Sequence, residues 1–240
     1  MKTQKLFSES QEGKDPSFIA IHRILFSQRR TLSIEIERNG RVTVRAPFYT
    51  SRKYIFDKVQ EKSAWILRNQ KIARTRFIES APKRFEEGED LLFLGSLFPL
   101  VISDTVEEPF SLSGGRFLLS SQAASRAKEV VVSWYRCQAN DIFSQRLIVL
   151  SRKTSIPFSS FCLSDASSQW GSCQKNGTIR LSWKLVMAPP DLIDYVVFHE
   201  LAHIRVHNHS RNFRELLSDM CPDWRDRKNR LHQQGHRYTL

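Results

Sequence analysis

The chain has 240 residues, 40% of them hydrophobic and 11% aromatic, which excludes a disordered chain and allows one packed domain or two small ones. Its formal charge of +12 fits either a diffuse soluble surface or attraction of a polyanion such as nucleic acid or nucleotide. The opening Met1-Lys2-Thr3-Gln4-Lys5-Leu6 lacks an apolar leader, no uncharged apolar run reaches membrane-spanning length, and Cys137, Cys162, Cys173 and Cys221 are unpaired in sequence; the expectation is a cytoplasmic protein with reduced thiols and no membrane contact.

Residues 1–20 are polar and predict a flexible N-terminus. Segments 24–26, 32–36 and 42–44 alternate in part between apolar and polar residues, and Asn39-Gly40 between the last two predicts a hairpin. Residues 51–78 read as one helix capped by Ser51, with Ile55, Val59, Ala64, Trp65 and Ile66 on its core face. Segments 91–93 and 98–102 restart the sheet around Gly95 and Pro99, and Gly114-Gly115 turns the chain into 116–119. Residues 121–151 contain no Gly or Pro and predict a long helix burying Val131, Trp134, Tyr135, Ile142, Phe143, Leu147 and Leu150. Strands are expected at 158–163 and 178–182, on either side of Trp170-Gly171 and the Lys175-Asn176-Gly177 turn, and the last third is helical.

Chemistry enters at His199-Glu200-Leu201-Ala202-His203. On an α-helix, residues four apart lie ~6 Å apart along the axis and on nearly one face, so both imidazoles can reach one Zn²⁺ and leave room for a third ligand and a water. Glu200 is displaced ~100° round the helix, off the ligand face yet near that water, where a general base belongs. Pro189-Pro190 marks the helix entry, and Asp191 and Asp194 suit the positive end of its dipole. A merely structural apolar helix has no reason to place a glutamate beside two histidines.

For the third ligand, His207 continues the face but would stand ~12 Å along the axis from His199, against Zn–N bonds of ~2 Å. His209 needs a chain reversal, which Asn208 supplies by tolerating the left-handed conformation. Ser210 then caps a helix with Phe213, Leu216, Leu217 and Met220 on one face. The His203-x5-His209 spacing equals that of metzincins, without their mid-spacer Gly. The expected ligands are His199, His203 and His209, with Glu215, Asp219 and Asp226 in reserve. His207, Trp170 and Asp194 are expected close to the metal or the substrate. Cys173 reads first as a small buried strand residue.

These residues resemble the YgjP-like metallopeptidase family, relatives of the WLM and SprT-type zinc proteases. Beyond the histidines, the likeness rests on Trp170-Gly171-Ser172-Cys173, Ile179 to Leu185, Asn208-His209-Ser210 with Phe213, and Pro222-Asp223-Trp224-Arg225. Upstream, Gly40 to Pro47 and Leu94 to Leu100 resemble the family's β region, so coverage runs from about Arg29 to near the C-terminus. Gln169 stands where the family usually has Arg, and Ser182 where it has Asn. Together with the chain-order reading, which sets a flexible 1–20 and a boundary near residue 120, this predicts an α+β fold: a β-rich domain over 21–120 and, as the resemblance implies, a zincin-like metallohydrolase domain over 121–240 with a small sheet and the HExxH helix. The resemblance also implies one Zn²⁺, a peptide or protein substrate, and an edge strand, placed at 178–182, that receives the substrate by strand addition. A metal that polarises a carbonyl also polarises a phosphoryl oxygen, so nucleoside triphosphate hydrolysis is the rival activity. A zinc-stabilised adaptor on nucleic acid or ribosomes is a third reading, against which the intact Glu200 stands.

Overall fold

The computed structural model describes residues 3–5, 18–166 and 168–240, so most of the N-terminus expected to be flexible lies outside the described residues. The fold is α+β, and its contacts divide it into residues 1–81 and 82–240. In the first unit, β1 (Thr3–Lys5), β2 (Ile21–Ser27), β3 (Ser33–Ile36) and β4 (Val42–Pro47) form a sheet in the order β1-β2-β4-β3. The β3–β4 hairpin turns at Asn39-Gly40 as expected, with Gly40 at φ +82°. Helices α1 (Arg52–Glu61) and α2 (Ser63–Glu79) follow, and Ile55, Val59 and Ile66 join Ile24, Val44 and Ala46 in one core. The single helix expected here breaks at Lys62, where neither Gly nor Pro marks the site.

The second unit opens with β5 (Asp90–Phe93), β6 (Ser96–Ser103), β7 (Phe110–Ser113) and β8 (Arg116–Ser120), ordered β5-β6-β8-β7. A 3₁₀ turn leads into α3 (Ala127–Thr154), whose buried stripe Val131, Tyr135, Ala139, Phe143, Leu147 and Leu150 follows the helical repeat. Tyr135 packs edge-on against Phe93 and donates its hydroxyl to the Leu92 carbonyl at 2.9 Å. Residues 85–119 therefore share a core with everything after them, and the division falls between Ala81 and Pro82 rather than near residue 120.

A second small sheet, β9 (Ser160–Ser164), β10 (Gly171–Cys173) and β11 (Thr178–Ser182), has the order β10-β11-β9. The strand at 178–182, expected at an edge, is central: it pairs with β9 in parallel and with β10 antiparallel. The edge strand packed beside α4 is β10. Helices α4 (Pro190–Arg205), α5 (Arg211–Met220) and α6 (Trp224–Gln234) complete the chain. At the β5–β6 turn, the Leu94 and Gly95 N–H groups donate to the Val186 and Met187 carbonyls at 3.0 and 2.9 Å. Gly95 sits at φ +84°, where a Cβ would meet Pro189 Cγ at 2.7 Å, so only glycine lets the hairpin tip abut the entry of α4.

Candidate metal centre

Helix α4 starts at Pro190, whose missing N–H costs nothing in a first turn. Nine of its residues are buried, which fixes the rotation that carries His199 and His203 to one side. Two arginines fasten it from outside: Arg146 of α3 grips Asp194 through two bonds of 2.6 and 2.7 Å, and Arg230 of α6 reaches Asp191 at 2.6 Å. Asp194, expected near metal or substrate, is thus engaged in holding α3 to α4 and lines neither cavity beside the histidines.

The helix ends earlier than expected. It stops at Arg205, and Val206 adopts an extended conformation with φ −134° and ψ 102°. Asn208 is not left-handed; its side chain instead accepts the Ser210 N–H at 3.2 Å. His207 is therefore off the helix altogether, and exposed, so an axial distance is not what separates it from the ligands. Ser210 caps α5 as expected, accepting the Phe213 N–H.

This reversal brings His209 back over α4. The Nε2 atoms of His203 and His209 lie 3.2 and 3.1 Å from that of His199. Three nitrogens around a tetrahedral ion with bonds of ~2.05 Å would be separated by ~3.3 Å, so the spacing fits ligands of a common centre. The protonation pattern agrees. Nδ1 of His203 lies 3.1 Å from the Val206 carbonyl, an arrangement that puts the ring proton on Nδ1 and leaves the Nε2 lone pair facing inward. Burial pushes the pKa of His199 down to about 3 and lowers that of His203, so both rings are neutral near pH 7, as metal binding requires. Phe213 supports all three rings, with centroids at 4.5 Å from His203, 4.9 Å from His209 and 5.0 Å from His199. Among the described residues, these histidines alone form a group able to hold a metal; Glu215 is paired with Arg211, and Asp219, Asp226 and Cys173 stay outside it.

Glu200 is only 4% exposed, and its Oε2 is buried without a hydrogen-bond partner. Burial pushes its pKa up to about 8. What makes room for it is Gly171 at the start of β10: a Cβ there would stand 2.5 Å from Glu200 Oε1 and 2.8 Å from its Cγ. Sequence reasoning gave Gly171 and Phe213 no part in the site. The only signal for the glycine was its place in the Trp-Gly-Ser-Cys segment.

Two cavities share Gln169, Gly171, His199 and Glu200 in their linings. One, of about 440 Å³, also meets Cys173, His203, His207 and His209; the other, of about 290 Å³, extends past Trp170. His207 thus borders the three-histidine cluster without joining it. Trp170 is half-buried, edge-on to Tyr238, and forms a wall of the smaller cavity while packing on the core.

An α+β scaffold that presents three converging imidazoles beside a buried carboxylate on an HExxH helix defines the class of metal-binding hydrolases. Within it, the chain belongs to the YgjP-like family: the model described as "YgjP-like, metallopeptidase domain" matches residues 30–234. No curated protein matches the chain. Among solved structures, the metallopeptidase zymogen of Methanocaldococcus jannaschii jannalysin matches 38% of this chain and 95% of its own, at 19% identity and a TM-score of 0.35, too weak a likeness to carry an argument. No helix among the described residues is long and apolar enough to cross a membrane.

Proposed function

We propose that the protein is a zinc-dependent peptidase in which His199, His203 and His209 hold the ion and Glu200 is the general base. The observation that carries this is the approach of the His203 and His209 Nε2 atoms to within 3.2 and 3.1 Å of that of His199, all three ligand atoms within 4.8 Å of one another, with a buried, unpartnered carboxylate on the same helix. When bound, zinc supplies polarisation of the scissile carbonyl and a water acidic enough to lose its proton near neutral pH. Glu200 takes that proton and later delivers it to the leaving amine; its raised pKa suits a group that must both accept and donate. With His199, His203 and His209 holding a cation, the added positive charge would favour the ionised form of Glu200, the form a base requires.

The substrate strand docks on β10. Ser182 N–H donates to the Trp170 carbonyl and Gln174 N–H to that of Thr178, so residues 170, 172 and 174 face β11. By alternation, Gly171 and Cys173 turn their peptide groups to the open edge, beside the cavity that holds the histidines. An extended peptide pairing there lies across Glu200, which is the geometry of strand addition.

The test compares the parent with Glu200→Gln, both zinc-loaded, on unfolded protein and on a panel of nucleoside triphosphates. Peptide turnover is expected for the parent and should fall ~10²-fold or more in the variant at equal zinc content. Turnover of nucleotides without peptides would transfer the same site to phosphoanhydride chemistry.

A further inference from the structure

The smaller cavity has a composition that the metal site does not explain. Its walls are apolar, built from Trp170, Tyr195, Val196 and Leu231, yet α6 places Lys228 and His232 in its lining. At about 290 Å³ it is at the lower end of ligand pockets, ~300–1,000 Å³, the scale of one side chain rather than a length of peptide. The charged and titratable groups that line it are Lys228, His232, His199, Tyr195 and Glu200; Glu200 is the one carboxylate among them, and it forms no ion pair with Lys228.

Lys228 is also uncommitted. Arg227 and Arg230, its neighbours on α6, are paired with Asp223 and Asp191 at 2.8 and 2.6 Å. Among the described residues, Lys228 has no ion pair or hydrogen bond. Trp170 is held in place as a wall: Gly235 lies so close that a Cβ there would meet its Cζ2 at 2.8 Å, and Tyr238 packs against its ring. A rigid aromatic wall beside an unpaired ammonium matches a side chain with an apolar stem and an anionic end. The cavity shares Gly171, His199 and Glu200 with the larger one, so a peptide centred on Glu200 must put a residue flanking the scissile bond into it.

We propose that the Trp170–Leu231 cavity is a specificity subsite that takes a glutamate-like side chain next to the scissile bond, with Lys228 as the residue that selects the carboxylate. This rests on the peptidase reading of the His199–Glu200 site. It adds a substrate preference that the histidines and Glu200 do not determine.

The experiment uses the full chain loaded with zinc and sets of peptides that differ at one position only, Glu, Gln or Lys, scanned across the residues around the centre. Binding is measured on the uncleaving Glu200→Gln form and kcat/KM on the parent. At one position Glu should exceed Gln by about tenfold or more, as for a hydrogen bond to a charged group. Lys228→Ala should remove that ratio and Lys228→Glu should invert it in favour of Lys; both changes are at an exposed position and leave the fold intact. Absence of any Glu preference, or a preference that survives Lys228→Glu, overturns the proposal. Lys228-dependent binding of Glu peptides with no cleavage by the parent would uphold the subsite and overturn the peptidase reading. Cleavage without a Lys228-dependent ratio would do the reverse.

Discussion

Helices α2 and α4 are nearly equal in length, 17 and 16 residues, yet α2 buries one residue, Ile66, and α4 buries nine, Glu200 among them. Along α2, Trp65, Leu67, Ile72, Phe77 and Ile78 are exposed, so its sequence is constrained by little packing. On α4 the packing fixes every turn, and the one carboxylate it encloses has an oxygen without a partner. A buried, unsatisfied carboxyl lowers stability, so its presence on the most enclosed helix points to chemistry rather than to folding. Charge divides in the same direction. Residues 1–81 hold 17 Lys and Arg against 8 Asp and Glu, a net +9 of the chain's +12. The basic character of the sequence therefore belongs mostly to the unit that lacks the site.

The sharpest way to break this contrast is at Gly171, where one methyl would compete with Glu200 for space. Gly171→Ala should lower turnover ~10²-fold or more by displacing the base, and should cost about 1–3 kcal/mol as overpacking. Kinetics and urea unfolding at matched metal content check both. Unchanged turnover would mean that the Glu200 position is not critical.

A smaller effect concerns pH. The Glu200 carboxyl, pushed up to about 8 by burial, holds its proton more tightly when folded. Its stabilising contribution is whole below its ordinary value of 4.5 and drains away as pH rises through about 8. His199, pushed down to about 3, has the opposite dependence: its contribution is whole above 6.5 and disappears as pH falls toward 3. Between pH 6.5 and 8 the change is therefore carried by Glu200, and metal-free protein should lose about 2 kcal/mol across it. Glu200→Gln should flatten that slope in urea titrations. A slope that persists in the variant would place the titrating group elsewhere.

At the other end of the scale, Ile78→Ser on α2 should shift stability by no more than ~0.5 kcal/mol, because the side chain is 72% exposed. A much larger loss in urea unfolding would show that this face is packed in solution.

Local signals were legible in the sequence and non-local ones were not. Pro190 at the start of α4, Ser210 as the cap of α5 and Asn39-Gly40 in the hairpin each act within a few residues. The His199–His203 pair follows from helical spacing alone. The approach of His209 was expected, though its cause was not: the turn comes at Val206, a β-branched residue with no breaker signature, whose carbonyl meets His203. Strand order is set by pairings across the chain, which is why 178–182 proved central and β10 the edge. Asp194 could not be assigned because its partner, Arg146, lies 48 residues away. Gly171 against Glu200 and Phe213 under the imidazoles are likewise tertiary contacts that no spacing rule reaches.

X-ray absorption at the zinc edge is decisive for the three-histidine ligation, since it reads ligand type and distance on the purified protein. The expected result is one zinc per chain with three imidazole nitrogens at about 2.0–2.1 Å and no sulfur, and loss of that signature in His209→Ala but not in His207→Ala. A sulfur scatterer at about 2.3 Å, which would bring in Cys173, or a signature that depends on His207 and not on His209, would contradict it.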